Sequence, residues 1–209
     1  MSILPEPAEA RRLHRYNAAR QTILDAAQEL LLAEGIHGFT MRRLAKRCGY
    51  TAPTIYHYFG DKHGLLDTLL EQVFHGLVTE LEKVPQASDP LEALRVDFRA
   101  IVDFGVSNPR HYQLLLAARP EAAEPLPSDE AARQRLEAPL TRLFEAGCLR
   151  ADDLEQARQA LWALLHGLIS LQTHRPDVDW TPELAERSLE WMLRGLVRDD
   201  SPALGRHGR

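Results

Sequence analysis

Apolar residues recur at helical spacing along almost the whole chain. Ile23, Ala27, Leu30 and Leu31 fall at i, i+4, i+7 and i+8, which predicts an amphipathic helix over about 18–34. Gly35 ends it. Met41, Leu44, Ala45 and Cys48 share one face of a shorter helix that Thr40 can cap and Gly49 can stop. Thr51 opens a third helix, with Pro53 in its first turn and Ile55 and Phe59 as its apolar stripe. Leu65, Leu66, Leu69, Leu70, Val73, Phe74, Leu77 and Leu81 extend a fourth from Asp61–Lys62 to about Lys83.

The same reading continues to the C-terminus. Asp89-Pro90-Leu91-Glu92 is a helix start, with an N-cap, a proline at N1 and a capping-box glutamate. Asn108-Pro109 repeats it for a short helix through Leu116. Three prolines between Arg119 and Ser128 predict a loop. Ser128 should cap a helix to about Ala146, which Pro139 should kink or break. Asp152, with Glu155, starts a helix to Thr173, and Thr181-Pro182-Glu183 starts the last, to about Val197. The fold class expected is all-α, with about nine helices and no convincing strand. Residues 1–10 and 199–209 are expected to be disordered tails.

Within this pattern, Thr40 to Lys62 stands apart. Counting from Met41, Ala45 is fifth, Gly49 ninth and Ile55 fifteenth. The fifth position must be small because two helices nearly touch there, and the ninth needs a backbone that glycine adopts cheaply. This is helix-turn-helix spacing over 40–59. It implies DNA binding with the second helix in the major groove.

Charge sharpens the picture. The 209 residues carry a net −5, but residues 1–65 hold nine Lys and Arg against six acids. That +3 head sits on a −8 body, which puts the attraction for phosphate at one end. Arg11 to Arg20 forms a basic arm: either the solvated start of the first helix, or a phosphate or minor-groove contact. Two cysteines supply neither a disulfide framework nor metal-ligand spacing, which favours a reduced, cytoplasmic protein. No apolar leader is evident at the N-terminus. The longest apolar run, Leu161 to Leu165, is too short to cross a bilayer. No metal, no cofactor and no membrane partner are expected.

The strings I-L-D-A-A-Q-E-L-L (23–31), T-M-R-R-L-A (40–45), G-Y-T-A-P-T-I-Y-H-Y-F (49–59) and K-H-G-L-L (62–66) resemble the tetracycline-repressor family of bacterial regulators. W-A-L-L-H-G-L (162–168) is similar to the Trp–His–Gly pattern of one subgroup's C-terminal domain. The resemblance implies a DNA-binding domain over 17–77 and an effector-binding and dimerisation domain over 78–198. It implies a homodimer on a near-palindromic double-stranded operator, most simply a repressor released by a small-molecule effector. Residue by residue, it assigns Thr40 to a phosphate-contacting cap and Arg42 to a base edge. Ala52, Pro53 and Thr54 match the groove-facing start of the recognition helix. Tyr56 and Tyr58 match backbone or base contacts, and Lys62 a phosphate lysine. Ala52 departs from the longer polar residues usual there, so shape readout should contribute more.

Several residues stay open on sequence alone. Arg43, Lys46 and Arg47 suit solvation of the second helix as well as phosphate contact, and His57 can face either way. Cys48 fits a small core residue better than a redox switch. Phe98, Phe104, Tyr112, Leu115, Phe144 and Trp162 are candidate pocket-lining residues. His166, Gly167, Ile169, Leu189, Met192 and Leu193 are candidates for the dimer interface. Leu161 to Leu171 is apolar almost all round and should be buried on more than one side. Gly167 there costs about 1 kcal/mol against alanine, which close approach of a two-fold partner would offset. Two rival readings are a protein-interaction adaptor with a silent helix-turn-helix, and an all-helical enzyme. No nucleophile–base pair, phosphate loop or metal cluster supports the second.

Overall fold

The computed structural model describes residues 8–117, 126–150 and 154–199. The expected tails over 1–7 and 200–209, most of the proline-rich loop and the Asp152 cap lie outside the described residues. The helices are α1 (Ala8–Gly38), α2 (Met41–Cys48), α3 (Ala52–Phe59), α4 (Lys62–Glu82) and α5 (Pro90–Ser107). They continue with α6 (Pro109–Ala117), α7 (Pro127–Glu145), α8 (Leu154–His174) and α9 (Leu184–Leu196). Among the described residues there is no strand beyond a single antiparallel bridge, Leu149 to Val197, which ties the end of α7 to the end of α9.

Three boundaries differ from the periodic pattern. α1 begins at Ala8, not near Ala18, so residues 8–10 are helical and the basic arm continues the first helix. No glycine or proline interrupts 8–34, and alanine and arginine are strong helix formers, so propensity carries the helix past its apolar face. α7 begins at Pro127; Leu126 takes the N-cap position without a side-chain cap, and Ser128 lies inside the helix. Pro139 does not break it: the helix runs on to Glu145. Leu136, Leu140 and Leu143 are buried around the proline, and this packing holds the helix across one missing backbone hydrogen bond.

The chain divides into two compact units. The first comprises α1–α3, α4 as far as Val73, and Gln113–Ala117 of α6. The sequence-based boundary near residue 77 falls four residues later, and α6 was expected wholly in the second domain. Ile23, Leu24, Ala27, Leu30, Phe39, Leu44, Ile55, Leu65 and Leu69 build the first core, each at most 2 % exposed. Burying side chains of this size contributes roughly 1.5–3 kcal/mol each.

The second unit starts at Phe74 and is built on α5, α7, α8 and α9. Leu94, Phe98, Leu136, Leu140, Leu161, Leu165, Ile169 and Leu189 dominate its core. At Gly105 of α5 a Cβ would lie 2.7 Å from the Ile169 side chain of α8, so the two helices pass closely there. Asp89 caps α5 as expected, accepting a hydrogen bond from Glu92 N at 2.9 Å. Among the described residues, no helix is long and apolar enough to cross a membrane.

Candidate nucleic-acid interface

Local chemistry sets the angle between α2 and α3. Thr40 Oγ1 accepts from Arg43 N at 3.3 Å, so it caps α2. Gly49 closes the helix with φ 75°, its N–H donating to Ala45 O at 3.1 Å. A residue with a Cβ would be strained in that conformation. Thr51 then caps α3, accepting from Thr54 N at 3.3 Å and sharing a 2.8 Å hydrogen bond with the Thr54 hydroxyl. Leu44 and Ile55, both fully buried, pin the two helices to the core.

What remains outward is narrower than the sequence suggested. On α3, Pro53, Tyr56 and His57 are exposed at i, i+3 and i+4, so they share one face; Tyr56 is 44 % exposed. Ala52 and Thr54 are half-buried, and the Thr54 hydroxyl is engaged by Thr51. The four cations of α2 split into two pairs. Arg43 turns back to Glu34 and to Gly38 O, and Arg47 to Glu29 at 2.9 Å, all on α1. Arg42 and Lys46, also one turn apart, are exposed and form no ion pair among the described residues. The uncommitted positive charge of α2 therefore lies on Arg42 and Lys46.

Two residues expected to reach DNA are held by the protein. Tyr58 is half-buried, its ring 4.7 Å from the ring of Tyr16 on α1. Lys62 donates from Nζ to Phe39 O at 3.0 Å and sits 5.5 Å over the Phe39 ring. Tyr58 thus meets α1, and Lys62 the link between α1 and α2. Asp61 caps α4 through Gly64 N at 2.9 Å, and that bond holds its carboxyl below the usual range. A Cβ on Gly64 would fall 2.2 Å from Phe59 O, so only glycine lets α4 start this close to the end of α3.

Of the six pocket candidates, Leu115 falls in the first unit and the other five in the second. Phe98 is 1 % exposed and packs in the core; Phe104, Leu115, Phe144 and Trp162 are half-buried. Tyr112 and His166 share a 2.5 Å hydrogen bond, and the Trp162 ring stacks on His166 at 4.7 Å. The Trp162 N–H reaches Glu137 at 3.3 Å, a buried carboxylate also facing Arg133 and Arg158. Burial pushes the Tyr112 phenol up to about 12 and the His166 imidazole down. A separate cavity of about 430 Å³ opens between α5 and α7, lined by Gln86, Ala93, Asp97, Gln134, Arg135 and Arg142 among others. Arg135 Nε donates to both Asp97 oxygens, at 2.9 and 3.0 Å.

The interface candidates also need correction. Ile169, Leu189 and Leu193 are at most 2 % exposed, buried in their own unit, so they offer a partner no surface. Leu161 to Leu171 is covered on one side, by Leu161, Leu165, Leu168 and Ile169; Leu171 is 53 % exposed. A Cβ on Gly167 would meet nothing within 4 Å. On α9, Trp191 is 64 % exposed.

Two family models match this chain: bacterial regulatory proteins of the tetR family over residues 23–69, and the tetracyclin repressor-like C-terminal domain over residues 94–196. The chain belongs to the tetracycline-repressor family. The similarity at Trp162, His166 and Gly167 does not by itself place it in the family's Trp–His–Gly subgroup. It is 36% identical over 99 residues to the tetracycline repressor class A of transposon 1721 from Escherichia coli. That match covers 47% of this chain and 40% of the repressor, so the chain spans well under half the length of this curated relative. The solved structure of NalD from Pseudomonas aeruginosa is similar over 90% of this chain and 100% of NalD, at 28% identity and TM-score 0.61. A tetR-family structure from Shewanella sp. PV-4 shares the fold at TM-score 0.69 and 16% identity, over 86% of this chain and 98% of its own.

The family match begins at residue 23, beyond two side chains that the motif alone did not reveal. Tyr16 packs on Tyr58, and the Arg20 guanidinium lies 5.3 Å over the Phe59 ring. The available signal was their i, i+4 spacing, four and eight residues after Arg12, which aligns all three on one helical face.

Proposed function

We propose that this protein is a homodimeric transcriptional regulator that docks α3 of each subunit in the major groove of a near-palindromic operator. The observation that carries the reading is the shared outward face of Pro53, Tyr56 and His57 on α3, together with the exposed Arg42 and Lys46 on α2. Arg42 is the candidate for bidentate contact to a guanine, Lys46 for phosphate, and Tyr56 and His57 for base or backbone contact. Thr40, Ala52 and Thr54 set the approach of the backbone. NalD is a secondary repressor of a multidrug efflux pump, and repression is the sign of regulation we propose here.

Dimerisation is proposed through the uncovered side of α8 and through α9, where Gly167, Leu171 and Trp191 face outward. Gly167 lets a partner helix approach closely. The effector is proposed to bind in the second unit. The α5–α7 cavity has the volume and the polar groups for a small molecule. Effector binding favours a conformation with lower operator affinity and so shifts the population off DNA.

Selection of bound sequences from randomised duplex DNA tests this reading. It should return a two-fold-related pair of half-sites whose centres lie roughly 34–36 Å apart, or a multiple of that spacing. Recovery of no sequence at low salt would overturn it in favour of an adaptor whose helix-turn-helix is silent.

A further inference from the structure

We propose that Ala8–Ala19, the first three turns of α1, form a second DNA-contacting element that grips the sugar–phosphate backbone beside the half-site. The inference rests on the DNA-binding reading above. No residue of α1 before Ile23 is buried, so this stretch adds nothing to the core. It is nevertheless helical, about 18 Å long at 1.5 Å per residue. From Ala8 to Arg20 the chain carries Arg11, Arg12, Arg15 and Arg20 against the single acid Glu9.

Placement supplies the second observation. The Tyr16 ring lies against Tyr58, and Arg20 over Phe59, so the extension is braced on the last turn of α3. Arg12 lies one turn before Tyr16 and shares its face, and Arg15 is the adjacent position. Arg12 and Arg15 are exposed and form no ion pair among the described residues. A recognition helix seated in the major groove has phosphates along both walls. A positive helix braced on its C-terminal turn meets one of those walls. Tyr58 is then the platform for the arm and not itself a reader of DNA. The contacts are to phosphate, because guanidinium groups on an exposed helix outside the groove meet no base edge.

The test uses the full chain, and the operator is the sequence that the wild type selects from randomised duplex DNA. Affinity is measured between about 50 and 200 mM salt for wild type, R12A/R15A and Y16A. Alanine preserves helix propensity, and circular dichroism with thermal melting checks that each variant folds. R12A/R15A should weaken binding, flatten the slope of log affinity against log salt by about 2 per subunit, and select the same half-site sequence. Y16A keeps every charge but loses the brace, and should flatten the slope by less. An unchanged slope for R12A/R15A overturns the proposal. So does a changed sequence preference, which would mean base readout. If the wild type selects no sequence, the DNA-binding reading itself fails. If R42A/Y56A abolishes selection while R12A/R15A keeps the wild-type slope, only the arm inference fails.

Discussion

The two units solve different problems with different chemistry. In the first, backbone geometry is prescribed almost residue by residue. Thr40, Thr51 and Asp61 cap three successive helices, Gly49 turns the chain with positive φ, and Gly64 lets α4 start against Phe59. In the second, aliphatic packing over long helices predominates, and its buried carboxylates, Asp97 and Glu137, are each held by arginine. A surface that must fit a DNA groove needs fixed angles between short helices. A unit proposed to bind a molecule and respond to it needs volume and a few interior charges. The first is therefore sensitive to capping and glycine positions, the second to unpaired charge.

The largest effect expected is Asp97→Ala. Asp97 is 4 % exposed and its carboxylate holds Arg135, whose Nη2 also donates to Val84 O at 3.0 Å. Removing one partner of such a pair costs about 3–5 kcal/mol. Chemical denaturation should show that loss in the second unit, and the double change Asp97→Leu, Arg135→Met should restore most of it. Gly64→Ala comes next. The 2.2 Å approach to Phe59 O forces α3 and α4 apart, with a loss of roughly 1–3 kcal/mol in the first unit and weaker DNA binding. If Gly64→Ala melts like wild type, the prescription of angles in the first unit is looser than described. Thr51→Ala should cost about 1 kcal/mol through the α3 cap, and hydrogen exchange should report it in the first unit alone.

How far these elements were legible in the sequence follows the same division. Gly49 could be placed because a tight turn demands a conformation other residues resist, and Asp89 because a capped start has a fixed order of residue types. The first ten residues of α1 were not visible, because a helix held by propensity and one aromatic contact shows no apolar stripe. No break occurs at Pro139, for the opposite reason: packing of Leu136, Leu140 and Leu143 outweighs one lost hydrogen bond. The orientation of Ile169, Leu189 and Leu193 was undetermined. Ile169 lies on a helix apolar on most sides, and Leu189 and Leu193 on a single stripe that its own core or a partner could equally cover; only tertiary structure says which does. The split of Arg42 and Lys46 from Arg43 and Arg47 depended on Glu29 and Glu34, which lie one helix away.

The smallest effects concern pH. The Tyr112 phenol is pushed up to about 12 by burial, so the folded chain keeps a proton that the unfolded chain releases near its ordinary value of 10.0. Its contribution to stability is intact below pH 10 and lost as pH rises toward about 12. His166 is displaced the other way: burial disfavours its charged form, so the unfolded chain takes up the proton first as pH falls below 6.5, and stability drops on the acid side. Tyr112→Phe should flatten the alkaline limb of a melting-temperature profile, and His166→Gln the acid limb. Both changes should leave operator affinity at neutral pH close to wild type.

The central claim is that the α2–α3 face of Arg42, Lys46, Pro53, Tyr56 and His57 reads DNA while Tyr58 and Lys62 hold the helices in place. The most direct test is the affinity of Arg42→Ala and Tyr56→Ala for the selected operator and for a scrambled duplex. Loss of one bidentate base contact is worth about 1–3 kcal/mol, so Arg42→Ala should bind the operator roughly 5- to 150-fold more weakly. The scrambled duplex should be affected much less, and thermal stability and oligomeric mass should be those of wild type. Undiminished discrimination between the two duplexes in both variants would contradict the account.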